Sequence, residues 1–217
     1  MHASTLQLSL RSLSRARSRG SSRTGFCSKL LALLGFALAL SVSAEPLGPQ
    51  RVARINGGWT LDDFTLIDQR GKPFTREHLL GRWTLVLFGD TRCGERCTAP
   101  LHALSGMLQR IARTQKVKTT QVLFVSLAGD TPEMLRTYLA PFDPHFIGAS
   151  GKQQTVERLA DDLGVAELLP ASLVEPSGAY PGVLSVIDPE GVVWGQFLPP
   201  FDVSLLTARY LKSRVGR

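Results

Sequence analysis

Cys93 and Cys97 stand four residues apart in "FGDTRCGERC", where an apolar run gives way to an amphipathic one, in a chain of 217 residues with three cysteines. Residues of this type at this spacing support three kinds of chemistry: a stabilising disulfide, a dithiol–disulfide redox couple, or a pair of soft metal ligands. The first is the weakest, because loop-closure entropy gives a bridge across about five residues roughly 2 kcal/mol, against nearly 5 for a loop of about 100. A redox couple suits the position better. Cys93 falls in a loop leaving an apolar strand and Cys97 near the first turn of the next helix, where free N–H groups and the helix dipole favour thiolate. Arg92 and Arg96 add positive charge beside the sulfurs, and Glu95 opposes it. If the helix already includes Cys93, a spacing of four puts both sulfurs on one face. Two thiolates there would select Cu(I) or Zn(II) over hard cations.

The elements that must position the pair follow from periodicity. "FTLIDQRGKPFT" alternates apolar and polar residues around the turn "QRGK", the pattern of a hairpin. A short helix over "REHLL" follows. "WTLVLFG" is a continuous apolar run bounded by Arg82 and Asp90, which reads as a central strand buried on both faces. Leu101, Leu104, Leu108 and Ile111 recur at helical spacing and predict a helix from about Thr98 to Thr114. A second buried strand is expected over Val122 to Ala128. In "DTPEMLRTYLAPF", Asp130 or Thr131 is the expected cap, Pro132 lies in the first turn, and Pro141 stops the helix. A short strand in "HFIGASG", a helix in "KQQTVERLADDLGV" closed by Gly164, a hairpin through "VLSVIDPEGVVWGQF" and a last helix from Asp202 through Leu211 complete the order. Strands alternating with helices point to a mixed sheet covered on both faces.

Charge and the N-terminal stretch narrow the class. The net charge of +7 includes Arg11, Arg15, Arg17, Arg19, Arg23 and Lys29, and without residues 1–44, which hold no acid, the remainder carries +1. That body has no basic stripe for a polyanion, so nucleic acid is not an expected partner. The same residues have the form of an export signal: a basic start, the apolar run "LLALLGFALAL" and "SVSA" before Glu45. An uncleaved membrane anchor is the alternative, although a span wants about 20 apolar residues and this run is shorter. Cys27 precedes the apolar run and is expected to be discarded or inert. Export would place Cys93 and Cys97 in an oxidising compartment, where close thiols join unless something reduces them.

"GGWTLDDFTLIDQRGKPFT", "LVLFGDTRCGERC", "QVLFVSLAGDTPEMLRTYLAPFDPHFIGASG" and "VIDPEG" resemble the Sco/SenC family, thioredoxin-fold proteins of the periplasm or mitochondrial intermembrane space. The resemblance runs from about Gly57 to Arg217. It implies copper handling in the assembly of cytochrome c oxidase, with two cysteines and one histidine as ligands, and thiol–disulfide exchange with the oxidase copper site. The chain departs from the family pattern in three places. Gly94 and Thr98 stand where a proline usually follows each cysteine, and "SLAGD" lacks the family's acid at Ala128. Tyr180, in "GAYPGVLSVIDP", stands where the ligand histidine is expected, and no histidine follows His145. His78, His102 and His145 read as solvated or partly buried side chains, and His2 lies in the leader. Pro181 stands close to where thioredoxin-like oxidoreductases carry a cis-proline facing the cysteines.

The expectation is therefore an α/β, thioredoxin-like domain over residues 59–217, with a mixed central sheet, helices on both faces and an N-terminal hairpin. It follows an export signal or anchor at 1–44 and a linker at 45–58. The expected role is that of a periplasmic or exported Sco/SenC-like protein whose Cys93/Cys97 couple serves maturation of the respiratory oxidase copper site. Cys93 would attack and Cys97 resolve, which makes thiol–disulfide oxidoreductase the enzymatic class in view. Two alternatives stay open. One is a chaperone holding Cu(I) on Cys93 and Cys97, copper being the only cofactor in view; the other is a non-catalytic module that binds an assembly partner. Expected partners are the copper-site subunit of cytochrome c oxidase or another periplasmic thiol protein, with inner-membrane association through the N-terminus if the leader is retained.

Overall fold

The computed structural model describes residues 52–53, 58–112, 114, 116, 119–165, 168 and 182–214, within a compact unit running from Gly48 to Arg217. Among these residues eight strands form one sheet: β1 (Val52–Ala53), β2 (Thr65–Asp68), β3 (Pro73–Thr75), β4 (Trp83–Gly89), β5 (Thr120–Ser126), β6 (Ile147–Ser150), β7 (Leu184–Ile187) and β8 (Val193–Phe197). Their order across the sheet is β1-β8-β7-β4-β5-β6-β2-β3. The three strands β4, β5 and β6 run parallel, and the remaining pairings are antiparallel. The expected N-terminal hairpin is the β2–β3 pair, followed by a 3₁₀ turn at Arg76–Leu79. Strand β1 lies inside the stretch expected as a linker and pairs with the edge of β8 through Val52↔Phe197 and Ala53↔Gln196.

Among the described residues four helices cover the sheet: α1 (Glu95–Ile111), α2 (Pro132–Leu139), α3 (Gln153–Asp162) and α4 (Val203–Ser213). Side chains alternate across a strand, and β4 divides the core accordingly. Its Leu85 and Leu87 face a cluster built with Leu101, Leu104 and Met107 of α1, Leu135 of α2 and Leu206 of α4. Its Val86 and Phe88 face the other cluster, with Leu66 and Phe74 of the hairpin and Val156 and Leu159 of α3. Every residue of β4 is buried, as its predominantly apolar sequence suits in a strand with neighbours on both sides and helices on both faces, and the one polar side chain, Thr84, accepts a hydrogen bond from Gln121 Nε2. Both parallel crossovers, β4-α1-β5 and β5-α2-β6, place their helices on the Leu85 face, so α1 and α2 lie over the same core cluster.

Several element boundaries differ from the sequence reading, α1 ending at Ile111 rather than Thr114 and α4 at Ser213 rather than Leu211. Helix α1 begins at Glu95, three residues before Thr98, so Cys97 belongs to its first turn. Strand β5 runs Thr120–Ser126, ending two residues before Ala128. Thr131, rather than Asp130, caps α2: its side chain accepts a hydrogen bond from Met134 N, with Pro132 at the helix start. Asp202 caps α4 through Leu205 N at 2.8 Å.

Candidate functional site

The site lies at the carboxyl end of β4, the strand that delivers its loop into α1. Asp90 makes the first turn of that loop, accepting Arg92 N on Oδ1 at 2.7 Å, while its own carbonyl accepts Cys93 N at 3.3 Å. Gly94 then takes φ +61° and passes its carbonyl to Cys97 N at 3.1 Å and Thr98 N at 3.0 Å, opening the helix. A proline, whose ring holds φ near −65°, cannot adopt that conformation. The glycine found where the family resemblance expects proline is thus required by this loop.

Cys93 and Cys97 are joined in a disulfide, with Cα atoms 5.8 Å apart, inside the usual range for a bridge. The two sulfurs sit in different surroundings. Cys97 is 2% exposed and packs in the helix-side core with Leu101 and Phe124. Cys93 is half-buried at the edge of the same cluster. Cys93 is the more exposed residue of the pair. Of the arginines invoked from sequence, Arg92 has a side chain that is 74% exposed and reaches back to Asp90 at 3.8 Å, and Arg96 is exposed.

Two features close to the pair were not anticipated. Gly89, the last residue of β4, faces Cys97 so closely that a Cβ there would overlap its Sγ and sit 3.0 Å from Phe124 Cε2. Asp130, read from sequence only as a candidate cap, turns inward and binds the cysteine loop. Its carboxylate accepts Thr91 N, Thr91 Oγ1 and Ser126 Oγ, each at 2.9 Å. Tyr138 of α2 lies over Phe124 and Phe142, with ring centroids 5.6 and 5.8 Å away. Its buried hydroxyl has no hydrogen-bond partner among the described residues. Burial, reinforced by the charges of Asp90 and Asp130, pushes that phenol up to about 12. The sequence signals for this neighbourhood were the apolar run of β5 and the cap and stop of α2, which place the elements but not their partners.

The histidines take other places. His78 sits in the 3₁₀ turn, its Nδ1 accepting Thr75 N at 3.0 Å and its ring stacked on Phe74. His102 is exposed and set edge-on to Phe142 at 4.8 Å. His145 is exposed beside Asp143 at 2.9 Å. Among the described residues no group of three histidine, cysteine or acidic side chains stands where it could hold a metal. Tyr180 and Pro181 lie outside the described residues, and the chain re-enters them at Gly182, where a Cβ would stand 3.6 Å from Pro100 Cγ of α1. The cis peptide bond among the described residues is Pro199–Pro200. The stretch read as an export signal, residues 1–44, also lies outside them, and no described helix is long and apolar enough to cross a membrane. The donor chemistry suits a soft ion only after the disulfide is reduced, when two thiolates become available.

Comparison with known proteins agrees with this geometry. The chain is 32% identical over 141 residues to a protein of Stutzerimonas stutzeri described as copper-binding, covering 64% of this chain and 69% of that one. It is 34% identical over 134 residues to the mitochondrial protein SCO2 of Saccharomyces cerevisiae, covering 59% of this chain and 44% of the relative. With the yeast protein and the SCO2-like protein of Rickettsia felis, the match spans about half of the relative's length. Among solved structures, yeast Sco1 with copper bound superposes with a TM-score of 0.62 at 24% identity, over 74% of this chain and 96% of that one. BsSco, a Sco-family protein described with a disulfide switch, gives 0.58 at 16% identity over 76% and 98%. These structural likenesses establish the thioredoxin-like fold. The profile of the SCO1/SenC family matches residues 54–193, which takes in every strand from β2 to β7 together with the cysteine loop and Asp130, and the chain belongs to that family.

Proposed function

We propose that this chain is an exported thiol–disulfide protein that services the copper site of a respiratory oxidase through Cys93 and Cys97. The observation that carries the reading is the asymmetry of the pair, a half-buried Cys93 joined to a buried Cys97 at the head of α1. In the reduced protein the Cys93 thiolate attacks one sulfur of a partner disulfide, forming a mixed disulfide and releasing the other partner sulfur as thiolate. Cys97 then attacks Cys93 Sγ, the Cys93–Cys97 bond forms, and the partner leaves as a dithiol. The partner is the copper-site subunit of the oxidase or another exported thiol protein, and membrane association follows if the leader is retained.

The experiment is a trap. With Cys97→Ser the second step is blocked, so a mixed disulfide through Cys93 accumulates with a disulfide-bearing fragment of the oxidase copper subunit. Cys93→Ser forms none. If both variants trap equally, or if the wild-type bridge resists reduction well below about −300 mV, where structural disulfides lie, the reading fails.

A second reading has its own support in the copper named for relatives of this chain. Here the reduced pair holds Cu(I) as cargo for transfer to the oxidase. Tyr180, in place of the histidine that the family resemblance implies, makes that holding weak for Cu(II), because a phenol near pKa 10 is a poor ligand at neutral pH.

A further inference from the structure

The dithiol exchange written above uses two sulfurs and no carboxylate, yet a carboxylate is buried beside them. Asp130 is 4% exposed and surrounded by neutral donors: Thr91 N, Thr91 Oγ1 and Ser126 Oγ at 2.9 Å. Ser126 is held to it in return, its Oγ accepting Asp130 N at 3.1 Å and Ala128 N at 3.3 Å. Burying a carboxylate costs several kcal/mol unless its oxygens are well satisfied, and here two of the three hydrogen bonds come from Thr91, 39 positions away. Capping of α2 does not account for it, since Thr131 performs that task.

What the contact does is mechanical. Cys97 is located by the body of the fold, in α1, in the core and against Gly89. Cys93 is held less firmly, because it lies in the loop between β4 and α1, half-buried at the edge of the same cluster, with its N–H donating to Asp90 O at 3.3 Å. Thr91, two residues before it, is tied to Asp130 by both its backbone N–H and its hydroxyl. That double tie joins the cysteine loop to the loop after β5, itself fixed by Leu127 N donating to Gly89 O at 2.8 Å. We propose that Asp130 is a positioning residue for the Cys93–Cys97 couple: by clamping Thr91 it holds the Cys93 sulfur at closing distance from Cys97 and so sets the stability of the disulfide. The clamp touches neither sulfur. It acts on their effective concentration, which governs how strongly a dithiol favours its closed form. The inference rests on the dithiol–disulfide reading of the site.

The test is the reduction potential of the couple in the full chain, measured by equilibration with glutathione redox buffers and alkylation of free thiols. Asp130→Ala should lower the effective concentration of Cys93 for Cys97 about tenfold, an upward shift of about 30 mV for a two-electron couple. Asp130→Asn retains a carbonyl oxygen for Thr91 N and should recover at least half of the shift, whereas a general loss of stability would lower the melting temperature without this rescue pattern. Thr91→Val should move the potential the same way, and the Thr91→Val/Asp130→Ala double variant should shift no further than Asp130→Ala alone, as expected for two ends of one contact. If Asp130→Ala does not fold, Thr91→Val carries the test, because it leaves the carboxylate and the β5 strand intact. A measurable wild-type potential with unshifted variants, or shifts that add, overturns the clamp while leaving the exchange reading standing. A wild-type bridge that does not exchange at all overturns both.

Discussion

Gly89→Ala is the substitution whose consequence the structure determines most directly. The added Cβ would overlap Cys97 Sγ and stand 3.0 and 3.2 Å from Cε2 and Cζ of Phe124, against an optimum of roughly 3.5–4.0 Å between carbons. The backbone cannot retreat. Strand β4 is paired with β5 along its whole length to Gly89↔Ser126, and with β7 as far as Leu87↔Leu184. The Gly89 carbonyl also accepts Leu127 N at 2.8 Å. Overpacking a well-filled core costs about 1–3 kcal/mol, and with both neighbours fixed the expected loss is near the top of that range. At roughly 2–4 °C per kcal/mol for a domain of this size, the melting temperature should fall by about 5–10 °C. The loss should depend on redox state, because the bridged Cys97 sulfur is tethered while the reduced one can rotate away. If reduction relieves about 1.4 kcal/mol of the clash, the couple shifts about tenfold toward the dithiol, or about 30 mV upward. Calorimetric melts of oxidised and fully reduced protein, with the potential measured on the same samples, check both parts. A Gly89→Ala protein that melts with the wild type in both states would refute the packing argument, and an equal loss in both states would refute the redox half.

Tyr138→Phe removes a buried hydroxyl that has no partner among the described residues and should stabilise the fold at neutral pH by about 1 kcal/mol. The same substitution should flatten the alkaline limb of the stability curve. With the folded phenol pushed from 10.0 up to about 12, its contribution is intact below pH 10 and is lost as pH rises toward 12; Tyr210, also pushed up by burial, leaves a residual slope. Chemical denaturation at neutral and alkaline pH measures both effects, and a destabilised Tyr138→Phe would show that the hydroxyl has a partner. For copper, reduced wild type should compete poorly with a chromogenic chelator for Cu(I) and hardly at all for Cu(II), and Tyr180→His should strengthen both, since imidazole nitrogen is the donor that Cu(II) prefers. Equal, tight affinity in wild type and Tyr180→His would mean that another ligand already completes the set.

The local features of this protein were legible from the chain alone because they rest on short-range periodicity. The all-buried β4 followed from a run dominated by apolar residues, Trp83 to Gly89 with Thr84 its one polar side chain, and helix α1 from apolar residues at helical spacing. The cysteine pair is likewise local, since residues four apart across a helix start are held close by the backbone whatever surrounds them, and the motifs around it sufficed to place the family. The start of α1 lies ahead of the apolar period that marks the helix, because Gly94 opens it through a positive φ with no side-chain cap, and the first turn before Leu101 carries no apolar repeat to signal it. Strand β1 escaped because two residues cannot display a period. The contacts that tune the site belong to tertiary structure alone. An Asp before Thr-Pro reads as a cap, and only the side-by-side arrangement of β4 and β5 brings Asp130 to Thr91. A terminal glycine in an apolar strand reads as a strand end, and only the docking of α1 on that face places Cys97 Sγ where a side chain at Gly89 would have to be. Which groups meet across such distances depends on how the elements pack, and no window of sequence contains that information.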